Sequence, residues 1–299
     1  MKEVEIRNIE PEYVHSSNTV FSFMNKAAYL EKAISEKRLS PRYCKENIEY
    51  LNLMYDEKRI DTILVLQKCF CDIPLHSIAE HFPLSVLSET SNLSEDVLIK
   101  LKEGSTHTDF YGEYGIGFSK TWAQSKNLQP VQYINPKSAY AEQFKSTFEF
   151  LLNQDDVDDL VVSDIIARLA YFKPLYGEMT RVIDDKEISV LKNFHDECEW
   201  RFVPRDELLE QDRITAVVFD EEMKKRSSQI SDRLSERRYN KLGLNYEYQD
   251  ISYLIVPNNA ARKQLIDYIM MLELGTDNNE EKYLLISKIL VLENIKKDF

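Results

Sequence analysis

Phe194-His195-Asp196-Glu197-Cys198-Glu199-Trp200-Arg201-Phe202-Val203 alternates charged and apolar side chains through its second half, a period-two pattern that predicts a β-strand. Successive side chains of a strand point to opposite faces, so Glu197, Glu199 and Arg201 share one face. Two acids and an arginine on an otherwise apolar strand are costly to bury unless they are paired or set in a cleft. Spacing alone leaves two readings open. One is an ion-paired sheet surface with Glu199 against Arg201; the other is a functional site.

Outward from that segment, Ile63–Phe70 is apolar and partly β-branched, the mark of a buried strand. Thr215–Phe219 and Ile251–Val256 are the other strong strand candidates, with shorter ones at Val4–Ile6, Tyr13–Ser17 and Pro130–Ile134. Helical spacing marks Lys26–Leu39, Ala139–Asn153, Leu160–Tyr171, Ala260–Leu274 and Glu280–Ile295, and Ser119 caps a short helix through Trp122. A polar helix and turn is expected over Glu221–Lys241. Strands interleave with helices irregularly and no βαβ rhythm emerges, which predicts an α+β fold. We expect a single domain over residues 1–299, with a basic helical insertion at about 221–248 and C-terminal helices at 260–295.

The 299 residues carry 38 Lys+Arg against 51 Asp+Glu, a formal net charge of -13. Such a chain does not coat nucleic acid or an anionic membrane with its whole surface; contact of that kind requires a local basic patch. With 7 glycines and 9 prolines there is little material for a phosphate-cradling loop, and no G-x-x-x-x-G-K-[ST], H-E-x-x-H or G-x-S-x-G motif occurs. No window approaches the roughly 18 apolar residues of a membrane span, and the charged start MKEVEIRNIE lacks the apolar core of a signal peptide. We therefore expect a cytoplasmic protein, no membrane contact, and reduced thiols at Cys44, Cys69, Cys71 and Cys198. Their spacing fits neither a zinc ribbon nor a finger, so buried structural thiols are expected and no metal.

Three local features remain. Gly112, Gly115 and Gly117 fall within six residues, which marks a tight backbone or a close approach; Tyr111, Tyr114 and Phe118 around them fit either an aromatic wall for a planar ligand or core packing. His15, beside Ser16 and Ser17, ends a short strand. From Lys224 to Lys241, seven basic residues (Lys224, Lys225, Arg226, Arg233, Arg237, Arg238 and Lys241) face only Asp232 and Glu236. A solvated helix accounts for most charge runs, but in so acidic a chain the run also fits phosphate or nucleic-acid contact, with Tyr239, Tyr246 and Tyr248 near enough in sequence to stack on bases.

The segments Phe70–Leu75, Tyr111–Gly117, Pro130–Ile134, Phe172-Lys173-Pro174 and Glu197–Pro204, with His15, Leu39–Cys44 and Glu46 ahead of them, resemble in kind and order the AbiGi-type abortive-infection proteins of bacterial phage defence, over roughly residues 13–257. AbiGi-type proteins are usually labelled antitoxins. A strand ending in His, a helix, a polar loop and a late strand bearing a glutamate is more distantly similar to the DarT-type ADP-ribosyltransferases. That likeness implies a split central sheet with flanking helices and NAD as substrate without a metal. It also implies transfer of ADP-ribose to nucleic acid, RNA or DNA, by a toxin held by a protein antitoxin of the same operon. Carried over, His15 hydrogen-bonds the nicotinamide-side ribose or the carboxamide, Ser16 beside it belongs to the same cofactor site, Arg42 and Tyr43 lie near the pyrophosphate or nicotinamide, Tyr111 or Tyr114 stacks on a ring, and Glu199 is the catalytic acid residue, with Glu197 as its alternative. Lys224, Lys225, Arg226, Arg233, Arg237 and Arg238 form the expected nucleic-acid contact. A non-enzymatic antitoxin or adaptor, and a metal-independent nuclease, are the competing expectations.

Overall fold

Ile63, Leu64, Val65 and Leu66 have no solvent contact, the pattern of a strand covered on both faces. They lie in Thr62–Cys71, the strand on which the large sheet is assembled. A computed structural model describes residues 17–55, 57–82, 85–87, 94–154, 157–183, 186–212, 214–273 and 279–298. In chain order the elements used below are β1 Thr19–Met24, α1 Ala27–Glu36, β2 Arg42–Asn47, β3 Thr62–Cys71, β4 Tyr114–Ser119, α2 Lys120–Ser125, β5 Gln132–Ile134, α3 Ala139–Leu152, α4 Asp159–Leu169, β6 Phe172–Pro174, β7 Tyr176–Ile183, β8 Lys186–Asn193, β9 Glu199–Phe202, α5 Ser227–Leu234, β10 Ile251–Val256 and α6 Asn259–Met271. The fold is mixed α+β, as expected.

The main sheet runs Ile289–Val291, β10, β4, β1, β3, β9, Gln129–Pro130. β3 serves two sets of partners. Its first half pairs with β2 and with Val217–Val218, and its second half with β9. The long apolar run is what lets one strand do this, because no polar side chain has to be accommodated between Ile63 and Leu66. β1 and β4 pair over six residues, from Thr19 opposite Ser119 to Met24 opposite Tyr114, whereas β1 and β3 meet at one register pair, Phe21 opposite Cys71. The two strands thus part beside that contact while remaining neighbours in one sheet. A cavity of about 780 Å³ has Phe21, Ser22 and Phe23 of β1 on one side and Gln67–Cys71 of β3 on the other. α1, α2 and α6 pack their apolar sides on the sheet through Leu30, Ile34, Trp122, Leu265 and Ile269. A second cluster, under α3 and α4, joins Phe144, Phe148, Ile165 and Leu169 to Ile63, Val65 and Phe172.

Several elements depart from the sequence reading. The expected strands at Val4–Ile6 and Tyr13–Ser17 fall, except for Ser17, outside the described residues. Helix α1 stops at Glu36 rather than Leu39, because Lys37 takes a left-handed conformation (φ 48°) and Arg38–Leu39 turns back as a strand against Leu244–Asn245. Phe194–Val203 is not one strand. His195–Glu197 is a 3-10 turn, Cys198 has φ 45°, and only Glu199–Phe202 joins the sheet. Pro130–Ile134 divides between two sheets, and the last expected helix is broken by the strand Ile289–Val291. The β7–β8 hairpin was not anticipated, since Glu178, Arg181, Lys186 and Glu187 dilute its alternation. Among the described residues no helix is long and apolar enough to cross a membrane.

The glycine cluster is explained residue by residue. Gly112 ends the helical turn Thr108–Tyr111 at φ +96°, and a Cβ there would strike the Met24 backbone. Gly117 faces Phe21, whose ring a Cβ would meet at 2.7 Å. We expect Gly112→Ala to lower stability by at least about 1–3 kcal/mol, read as a fall in the urea midpoint; an unchanged midpoint would mean that this turn is not held against β1.

Candidate active site

Glu197 and Glu199 reach the same place from different local structures. β9 holds Glu199 in register with Cys71 of β3, and the left-handed Cys198 turns the preceding 3-10 segment so that Glu197 points to the same cation. Lys173, on β6, donates to Glu197 Oε2 at 2.7 Å and to Glu199 Oε2 at 2.6 Å. β6 is set there by its parallel pairing with β5. Arg201, fully buried, donates from Nε to Glu199 Oε1 at 2.7 Å, from one terminal nitrogen to Ala170 O at 2.7 Å, and contacts Glu46 Oε2 at 3.1 Å from the other. Lys192 of β8 and the Tyr111 hydroxyl both donate to Glu197 Oε1. Three carboxylates (Glu46, Glu197, Glu199) are therefore matched by three cations (Lys173, Lys192, Arg201) in one connected network.

The network faces the cavity, which Glu46, Lys173, Glu197, Glu199 and Tyr111 all line. Burial acts to push Glu199 up, but Arg201 and Lys173 outweigh it and hold the carboxyl far below the usual range. Glu197 behaves alike, its burial outweighed by Lys173 and Lys192. Burial acts to lower Lys173, but Glu199 and Glu197 more than offset it, so the ammonium is held above its usual value. For Lys192 burial wins: its ammonium sits 5.0–5.9 Å from the ring centres of Phe82, Phe110, Tyr111 and Phe194, and its pKa falls. His107, which also lines the cavity and packs against the Phe23 and Tyr111 rings, is lowered to about 3 by burial and then by Lys192. The imidazole is neutral at pH 7. Two ionised carboxylates, an aromatic wall and a neutral histidine can hold a ribose and stabilise positive charge developing on it.

Of the residues singled out from sequence, Glu197, Glu199, Arg42 and Tyr111 lie in the cavity wall. The same-face pairing of Glu199 with Arg201 is present, but buried rather than on a sheet surface. His15 and Ser16 lie outside the described residues. Tyr43 is not in the wall: as part of β2 its side chain points to the opposite face from Arg42, and its hydroxyl donates to Thr215 O at 2.6 Å within another cluster. Tyr114 is likewise misplaced by the sequence reading, because β4 turns it toward α1 and α6. Tyr246 and Tyr248 are unavailable to bases, being buried and donating to Ala33 O and Ile34 O. In the basic segment Lys224 pairs with Glu221 and Lys225 with Glu222, and Arg238 lies beside Glu236 and the Tyr239 ring. Arg226, Arg233 and Arg237 are exposed with no ion pair among the described residues. α5 docks on β2 through Ser231 Oγ, which accepts from Tyr43 N at 2.9 Å, and through Asp232, 3.0 Å from Arg42. The basic segment therefore borders the cavity. Lys173, Lys192 and His107 were not identified from sequence as site residues. Lys173 stands in the quoted Phe-Lys-Pro segment, but nothing local distinguishes Lys192 or His107.

A family model described as "Putative abortive phage resistance protein AbiGi, antitoxin" matches residues 97–257. A curated relative from Lactococcus lactis subsp. cremoris, "Abortive phage resistance protein AbiGi", is 32% identical over 272 residues, 87% of this chain and 98% of the relative. The chain belongs to the AbiGi family. The matched span contains His107, Tyr111, Lys173, Lys192, Glu197, Glu199 and Arg201, and so most of the charge network. No solved structure matches, and the likeness to DarT-type ADP-ribosyltransferases gains nothing from these comparisons.

Removing one partner of a buried ion pair costs about 3–5 kcal/mol, so Lys173→Met is expected to lose stability on that scale in urea titration; a loss below about 1 kcal/mol would place the network in effective contact with solvent. The depressed groups set the acid response. Below the ordinary histidine value the unfolded chain binds a proton that folded His107 refuses down to about 3, so stability falls as pH drops through that window. Below the usual carboxylate value Glu197 and Glu199 add to the loss. His107→Phe should flatten the urea-midpoint profile between about pH 6.5 and 4.5, and a profile as steep as that of the parent would show His107 to be protonated in the fold.

Proposed function

We propose that this AbiGi-family protein is an NAD⁺-dependent ADP-ribosyltransferase of anti-phage defence, acting on nucleic acid. The observation that carries the proposal is the pair of ionised carboxylates, Glu197 and Glu199, set in the wall of a cavity of about 780 Å³ where the sheet divides. That volume lies within the roughly 300–1,000 Å³ of small-molecule sites, and a split sheet with flanking helices is the architecture that this chemistry was expected to need. Family membership supports the defence setting, since the matching relative is named for abortive phage resistance.

In the proposed reaction the bond between ribose C1′ and the nicotinamide nitrogen breaks, and its electron pair leaves with neutral nicotinamide. A nucleic-acid oxygen or nitrogen bonds to C1′ and its proton passes to water. Positive charge grows on the ribose in between. Glu199, fixed by Arg201 and Lys173 before any ligand arrives, stabilises that charge without reorganising. Its low pKa makes it a poor proton acceptor, so its task is electrostatic. Tyr111, tied to Glu197, offers a ring for stacking. The exposed Arg226, Arg233 and Arg237, beside β2, bring the anionic target to the cavity.

A second reading, a non-enzymatic antitoxin, is favoured by the last word of the family description. Expressed alone in bacteria, a transferase toxin arrests growth and an antitoxin does not. With purified protein, labelled NAD⁺ and nucleic acid, the wild type is expected to release nicotinamide and label the acid; Glu199→Gln, verified as folded by circular dichroism, should be slower by about 100-fold or more. Wild-type protein that leaves NAD⁺ intact, or cuts the strand without labelling it, would overturn the transferase reading.

A further inference from the structure

The charge network neutralises one side of the cavity and leaves the other under-satisfied. Lys68 of β3 lines the cavity, is only partly exposed, and has no hydrogen bond or ion pair among the described residues. Its one charged neighbour, Arg42, disfavours the ammonium, and the groups that favour it are the thiols of Cys44 and Cys69 rather than a carboxylate. Arg42 keeps one partner, the exposed Asp232, and its remaining N–H groups donate to no other group among the described residues. Two more polar atoms of the β2–β3 side, Tyr50 Oη and Gln67 Oε1, are buried without a hydrogen-bond partner among the described residues. Gln67 cannot repair this by flipping its amide, because Nε2 already donates to Glu46 Oε1 at 2.6 Å.

An ammonium withdrawn from water without an acceptor costs free energy that a bound anion returns. We propose that the β2–β3 wall is a phosphate subsite, with Lys68 as its main contact and Arg42 at its mouth. This rests on the nucleotide reading above and deepens it. The ligand lies with its phosphate against Lys68 and its ribose toward Glu197 and Glu199, on the far side. Cys44 and Cys69 flank the phosphate and do no chemistry on it. A phosphate can come from the dinucleotide or from the target strand; the recognising chemistry is the same, and the two are separated by experiment.

Calorimetric titration of the full chain with inorganic pyrophosphate, ADP-ribose and a short single-stranded oligonucleotide tests this directly. Lys68→Met, of nearly the same length, is expected to weaken pyrophosphate at least tenfold, and Lys68→Arg to stay within threefold of wild type. A parallel loss for ADP-ribose assigns the phosphate to the dinucleotide, and a loss for the oligonucleotide alone assigns it to the target. Should Lys68→Met not fold, wild-type protein carries its own reporter: pyrophosphate should slow iodoacetamide alkylation of Cys44 and Cys69 at least threefold, with Cys198, which is exposed, as the internal control. No pyrophosphate binding by wild type, equal binding by a folded Lys68→Met, or alkylation indifferent to pyrophosphate overturns the subsite. Pyrophosphate binding without NAD⁺ consumption sinks the transfer reaction and keeps the subsite; NAD⁺ consumption with no role for Lys68 does the reverse.

Discussion

One ammonium, Lys173 Nζ, lies within 2.7 Å of two carboxylates that would otherwise repel each other inside the protein. Everything about the site depends on that contact. It ties the short strand β6 to the end of β9, so the α3–α4 half of the molecule is joined to the main sheet by charge as well as by packing. It keeps Glu197 and Glu199 ionised at any physiological pH. It also fixes them, since each remaining carboxylate oxygen is occupied by Arg201, or by Lys192 and Tyr111. Buried ion pairs give little net stability compared with apolar residues of the same shape. A fold that carries five connected ion pairs facing a cavity is maintaining a charge pattern rather than maximising its stability.

The cavity exists because two adjacent strands stop pairing. β1 follows β4 for its whole length, and the glycines of β4 make this possible: Gly115 and Gly117 leave room for the rings of Phe23 and Phe21. β3 is drawn the other way by β2 and β9. Phe21 opposite Cys71 is the hinge point of the divergence. The rings that fill the glycine notches line the cavity too, so a residue type read as a mark of tight backbone turns out to shape the site from the neighbouring strand.

Much of this was legible in the sequence where burial imposes a period. The continuous run Ile63–Leu66, the strand Ile251–Val256 and the helix α3 were read correctly because a buried strand or helix face leaves an unmistakable pattern. Glu199 and Arg201 were legible for the opposite reason, as charge where the pattern demands apolar residues. The rest failed where a local rule was overridden. The charges at Glu197 and Glu199 fit one strand, but a left-handed Cys198 breaks it, and no sequence rule places a cysteine there. Tyr43 and Tyr114 were chosen for proximity to motifs, and strand alternation sends each to the wrong face. Lys192 and His107 escaped because their significance comes from rings contributed by distant segments.

The overall charge of -13 is a poor guide to the site. Within the cavity network carboxylates and cations cancel. Of the other charged groups in the wall, Glu49 is engaged by Arg59 and Glu178 by Ser189, while Lys45 and Lys68 hold no carboxylate among the described residues. The local balance at the β2–β3 end is therefore positive inside a negative molecule. An anion approaching from solvent is repelled by most of the surface and drawn to the basic segment on α5 and the wall beneath it, an arrangement in which long-range charge selects the entrance and short-range charge selects the orientation. A neutral ligand would gain nothing from it. A ligand with an anionic end and a sugar end is matched at both, and for such a ligand the neutrality of the carboxylate side is an advantage: it presents oxygen atoms to a ribose without presenting net negative charge to a phosphate.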